Sequence, residues 1–263
     1  KADEPGESRL RSRALGIVLG SYVPGPFNAI TDVAGVTVGQ ITLISGDGPL
    51  KPGLGPIRTG VTVVIPRDDV WHKKVPAGSF VLNGTGEMTG LAWISESGFL
   101  EYPIALTNTL NVPRVANGIV SWMIARYPEI GITDDTVTPV VAECDDGRLN
   151  DIQGRHVSEG DVVKALDSAS SGAVQEGTVG AGTGMVSYGF KGGIAKPYDL
   201  KALGHNSVAY VHTVNQALNL AFADREAYSG DPKFVNVPRA GMWAMSVPSL
   251  WRAINEPSGC RSG

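Results

Sequence analysis

Residues 140–152, VVAECDDGRLNDI, run out of an apolar, β-branched stretch into Glu143, Asp145, Asp146, Asn150 and Asp151. Five such groups at a strand end could gather a cation or hold a substrate amine. They could equally form a solvated turn in which Asp and Asn side chains cap the backbone. A second polar block, FVLNGTGEMTG at 80–90, sets Asn83 and Glu87 among glycines between an apolar stretch and a helical pattern. Loops in such positions carry functional side chains on a rigid scaffold.

The third conspicuous block is EGTVGAGTGMVSYGFKGGI, residues 176–194. It fits neither glycine-rich phosphate loop. Counting Gly-x-Gly-x-x-Gly from Gly180 ends on Met185, and from Gly182 on Ser187. A P-loop needs Gly and Lys adjacent before Ser or Thr, whereas Gly189 is followed by Phe190 and only then Lys191. What remains is glycine as a means of positive φ and close backbone approach between strands.

Composition narrows the chemistry further. The chain has 263 residues and can bury a core without metal or disulfide staples. A net charge of −4 and the lack of a basic, aromatic stripe give no field for a phosphate backbone, so nucleic acid is not an expected partner. No apolar run reaches the roughly 18 residues of a membrane span, so a soluble protein is expected. Cys144 and Cys260 match no zinc spacing and the four histidines are scattered, so a metal site is not expected. Lys1 in place of Met leaves the location open between cytoplasmic and exported, since a targeting signal could have been removed.

Residues 1–13 are charged and aperiodic and read as a flexible arm. Residues 35–45 and 60–66, then 103–108 and 138–143, have the β-branched, Gly- and Pro-bounded look of strands. Met88, Leu91, Ala92 and Phe99 repeat at roughly helical spacing, as do Val115, Ile119, Trp122 and Met123. Ser158 with Asp161 reads as a capping box opening a third helix. Strands and helices alternate, which allows either a parallel α/β sheet or a layered α+β sandwich.

In order, PGPFNAITDVAGVTVGQITLI, RTGVTVVIP, NGTGEMTGLAWI, PIALTNT, PVVAECDDGRLNDI and the glycine-rich block resemble the DmpA-like aminopeptidases, the family of L-aminopeptidase/D-esterases and β-peptidyl aminopeptidases. The resemblance covers about residues 14–194. It implies an α+β fold, a four-layer αββα sandwich, here incomplete. It also implies a self-processing precursor cut before a serine, which becomes nucleophile and, through its own α-amine, base. Such enzymes act on small peptides, amides or esters with a free amine and use no cofactor. By resemblance Glu143 receives the substrate ammonium, and Asn83 and Asp145 join it in the binding site.

Two departures qualify the resemblance. The family commonly has an aromatic residue, often Tyr, where this chain has Asp145, and an ionised carboxylate there would oppose a developing oxyanion. After Ile194 the familiar continuation stops, and residues 203–255 instead resemble part of a γ-glutamyltransferase large chain. Its periodicity, with Tyr210, Val214, Leu218 and Phe222 on one face, predicts a helix. The expected organisation is thus an arm (1–13), a DmpA-like part (14–194) and a helical γ-glutamyltransferase-like segment with a polar tail (195–263). No catalytic residue is assigned: Ser258 and Ser262 lie in that tail, and the nucleophile is expected on a serine-initiated second chain. An incomplete sandwich with an uncovered sheet face is also expected to self-associate as a homo-oligomer. Two other readings stay open: a γ-glutamyltransferase-like hydrolase, and a non-catalytic amine-binding protein.

Overall fold

The computed structural model describes Arg13 and residues 23–81, 84–187 and 190–191. Asn83, Cys260, Ser258, Ser262 and the helix expected over 210–222 lie outside the described residues. The chain divides into two compact units, residues 1–186 and 187–263. Every element named below belongs to the first.

Its centre is a four-stranded mixed sheet in the order β1-β2-β5-β6. Strands β1 (Thr37–Ser45) and β2 (Ile57–Ile65) form a long antiparallel pair, in register from Thr37↔Ile65 to Ser45↔Ile57. Strand β5 (Ile104–Thr107) runs antiparallel to β2, and β6 (Val140–Glu143) parallel to β5. Parallel neighbours need a crossover, and the chain supplies it with helix α2 (Val112–Arg126). Strands β3 (Val75–Pro76) and β4 (Phe99–Leu100) make a separate two-stranded ribbon, too short to leave a period in the sequence.

Period and punctuation explain the helices. In α2, Val115, Ile119 and Met123 recur every four residues and are fully buried, with Pro113 in the first turn, where its missing N–H costs nothing. Helix α3 (Glu159–Asp167) begins as expected: the Ser158 hydroxyl accepts from Asp161 N, and Asp161 accepts from Ser158 N. It packs so closely on α2 that a Cβ on Gly118 would press on Val162. Helix α1 (Leu91–Ser97) is shorter than the apolar spacing predicts, because Gly90 and Gly98 take φ of 74° and 72° and stop it at both ends. Met88 therefore lies outside the helix, in an extended segment bridged antiparallel to Ala142, and Phe99 falls in β4.

Both helices α2 and α3 cover one sheet face, onto which Val61 and Val63 of β2 project fully buried. The opposite face of β1 and β2 receives the glycine-rich block, folded as a 3₁₀ turn at Gly180–Gly182. Gly180 N donates to Thr42 Oγ1 at 2.8 Å and Ala181 N to Thr62 Oγ1 at 3.1 Å. The N–H groups of Gly180 and Ala181 are thus spent on strand hydroxyls. The α+β class is the one the sequence resemblance implied.

Candidate active site

The two polar blocks come together at the C-terminal end of β6. Glu143 closes that strand opposite Thr107 of β5, and its N–H donates to Glu87 O at 2.9 Å. Thr89 holds the same edge, its N–H donating to Val141 O and its hydroxyl accepting from Val141 N. The segment 87–89 thus forms one wall beside Glu143.

Glu143 is half-buried, and its Oε2 accepts from Thr109 Oγ1 at 2.7 Å. Among the described residues its other oxygen has no partner. One oxygen is fixed and one is open, the arrangement that lets a carboxylate receive an ammonium in a set direction.

The other four polar groups of the block diverge from Glu143. Asp145 is exposed and accepts from Gly147 N at 2.8 Å, the Asx-type turn that the bland sequence reading anticipated for this loop. Asp146 turns inward, 2% exposed, and accepts from Asn150 Nδ2 at 3.0 Å. Burial pushes its carboxyl up to about 6, against hydrogen bonds from Thr59, Asn150 and Asn108. Asp151 caps the following 3₁₀ turn, accepting from Gly154 N, and also holds Gly53 N at 2.7 Å and His156 Nε2 at 2.9 Å. Among the described residues these acids do not gather as a group of three around one point.

Cys144 lies between them, its N–H on Thr107 O and its thiol against Thr107 O and Ala181 O. Burial first, then the charges of Asp146, Glu143 and Asp145, push that thiol up to about 12. Packed against two carbonyls, the thiol sits where its thiolate form is disfavoured.

One gathering of metal-ligating side chains, His72, Glu129 and Asp134, escaped the sequence reading because its members are 57 residues or more from His72 along the chain. It lies by the loops after β2 and α2, at the far end of the sheet from Glu143. Its donors already have partners. The His72 ring faces Asp69 Oδ1 at 2.7 Å through Nδ1 and Glu129 Oε1 at 2.8 Å through Nε2, and Asp134 accepts from Trp71 Nε1. The arrangement is that of an ion-pair network, and the hydrogen bond to Asp69 raises the His72 pKa most.

The family model of peptidase family S58 matches residues 28–217, beyond the point where the sequence blocks stop being recognisable. The chain belongs to peptidase family S58. It is 47% identical over 184 residues to the β-peptidyl aminopeptidase BapA of Sphingosinicella microcystinivorans, a match covering 70% of this chain and 45% of that protein. The solved L-aminopeptidase D-Ala-esterase/amidase of Ochrobactrum anthropi, described as a variant of the Ntn hydrolase fold, superposes with a TM-score of 0.61 at 46% identity, covering 70% of this chain and 51% of that one. A shorter likeness, 49% over 61 residues, reaches the acylase ACY 1 proenzyme of Pseudomonas sp. (strain V22), 23% of this chain and 11% of that protein. The chain spans about half the length of the peptidase relatives it matches.

Proposed function

We propose that this chain is the amine-recognising part of a self-processing serine aminopeptidase, with Glu143 as the receptor for the substrate's N-terminal ammonium. The supporting observation is the half-tied carboxylate at the end of β6: Oε2 is held by Thr109, and Oε1 has no partner among the described residues, beside a wall formed by residues 87–89. Substrates would be small peptides or amino-acid amides with a free amine. The attacking serine, whose own α-amine would be its base, would come from a serine-initiated second chain. Asn83 belongs to this proposed site by resemblance alone.

The test is binding of alaninamide and N-acetylalaninamide to the full chain, followed by NMR titration for wild type and Glu143→Gln. The substitution keeps shape and removes charge, so the free amine should lose about 1.5–3 kcal/mol while the acetylated analogue loses nothing. Equal losses for both ligands would rule out the ammonium role.

Asp145 favours a second reading, an amine-binding protein without chemistry. Its exposed carboxylate is committed to Gly147 N and offers no donor to an oxyanion where relatives commonly place an aromatic hydroxyl. Release of p-nitroaniline from amino-acid p-nitroanilides, after pairing this chain with the serine-initiated chain of a relative, separates the two readings.

A further inference from the structure

A buried carboxylate without an ion-pair partner calls for explanation, because burial disfavours its charge. Asp146 is such a group, three residues beyond Glu143, and its surroundings form a connected path. Asn150 Nδ2 donates to Asp146 Oδ1, and Asn150 Oδ1 accepts from Arg58 N of β2 at 2.9 Å, so the loop is tied to the strand. Thr59, the next residue of β2 and fully buried, accepts from Asn108 Nδ2 at 2.9 Å. Asn108, 1% exposed, in turn caps the turn Thr109–Asn111, its Oδ1 accepting from Asn111 N at 3.0 Å. Thr109 leads that turn and donates to Glu143.

We propose that Asp146 is a positioning residue for Glu143: its buried carboxylate holds Asn150, Asn150 fixes β2 at Arg58 beside Thr59, and Thr59 supports Asn108, which folds the turn from which Thr109 grips Glu143. The inference rests on the amine-receptor reading of Glu143. An ionised Asp146 accepts from Asn150 Nδ2, while Arg58 N fixes the other end of that amide. With its proton on, one Asp146 oxygen becomes a donor beside an amide N–H that can only donate, and the hold on Asn150 weakens.

The groups facing Asp146 can be named. Its own loop brings the Asp145 carboxylate and the Cys144 thiol. From β2 come Thr59 and the backbone of Arg58, whose guanidinium turns away to Asp47 and the carbonyls of Ser45 and Gly46. The turn Gly180–Gly182 and Thr183–Gly184 behind it bring no charge, and β5 ends in the uncharged Asn108. The Glu143 carboxylate touches Thr109 directly, and Asp146 is the group that reaches Thr109 from behind, through this path.

The experiment measures alaninamide and N-acetylalaninamide binding to the full chain at pH 7.0 and 5.0, where alaninamide remains an ammonium. Four variants join the wild type: Asp146→Asn, Thr109→Val, the double variant and Glu143→Gln. The wild type should bind alaninamide about three- to tenfold more weakly at pH 5.0 than at 7.0, with a midpoint near 6. Asp146→Asn should show the weak affinity at both pH values, Thr109→Val should match it, and the double variant should lose no more than either alone, as one path requires. The acetylated ligand should be unmoved. If Asp146→Asn does not fold, Thr59→Val and the wild-type pH profile carry the test. Wild-type-like affinity and an unchanged midpoint in Asp146→Asn, with Glu143→Gln impaired, overturn the inference and leave the amine reading standing. Undiminished binding by Glu143→Gln overturns both.

Discussion

Gly60 of β2 and Gly180 of the glycine-rich turn meet backbone to backbone: a Cβ on Gly60 would be driven into the carbonyl oxygens of Gly180 and Ile41. Nothing there can swing aside, since both obstacles are main chain. Gly60→Ala should therefore destabilise the fold by about 3 kcal/mol, at the upper end of overpacking costs, and lower the melting temperature. Gly78→Ala, with no atom within 4 Å of the added carbon, should stay within about 0.5 kcal/mol of wild type. Equal melting temperatures for the two variants would show that the turn does not pack on the strand in this way.

That contact also shows what the sequence could and could not reveal. Spacing alone excluded a phosphate loop at 176–194 and left close approach as the use of its glycines, but which strand they approach depends on long-range pairing. The same holds for the acidic block. Glu143 was legible as a strand end because β-branched residues precede it. Asp145, Asp146 and Asp151 are indistinguishable by type, and only the fold turns the first outward, the second into the core and the third onto Gly53 and His156. Thr109, which fixes Glu143, gave no signal: a threonine beyond a short strand has many uses. Met88 was misplaced for a local reason, since the left-handed φ of Gly90 ends the helix that apolar spacing had extended.

Cys144 should be chemically quiet in the folded protein. With its thiol near 12, almost none is thiolate at pH 8, whereas an unfolded cysteine titrates near 8.5. Iodoacetamide followed by peptide mapping should find Cys144 alkylated at least about 100-fold more slowly in the native chain than in urea. Comparable native and denatured rates would contradict the burial described for it.

His72 gives a pH signature that an unpaired surface histidine would lack. Its pKa is raised, first by the hydrogen bond to Asp69, while His72 lowers that of Asp69. A raised folded value means that the His72 contribution is fully present below its unfolded pKa of about 6.5 and is lost as pH rises through the folded one. The lowered Asp69 value means that its contribution is present above about 3.9 and is lost as pH falls through the folded one. The penalty of His72→Gln in urea unfolding should therefore be larger at pH 5.5 than at pH 8.5. An equal penalty at both would show that the ring acts by packing alone.

Asp146 makes a separate prediction about stability, independent of any ligand. Burial raises its carboxyl from 3.8 to about 6 in the folded protein, so between those values the folded state holds more protons than the unfolded one. Stability contributed by this group must then fall as pH rises from about 4 to 7, by on the order of 2–3 kcal/mol for a shift of about two units. Asp146→Asn cannot ionise and is free of that term. Relative to wild type, its unfolding free energy in urea should accordingly improve by about that amount between pH 4 and 7, even though the same variant binds the amine more weakly. That opposition is what a group kept charged for orientation, at a cost in stability, would produce. A wild-type-minus-variant difference that is constant across this range, or that moves the other way, would mean that Asp146 is ionised in the core without penalty.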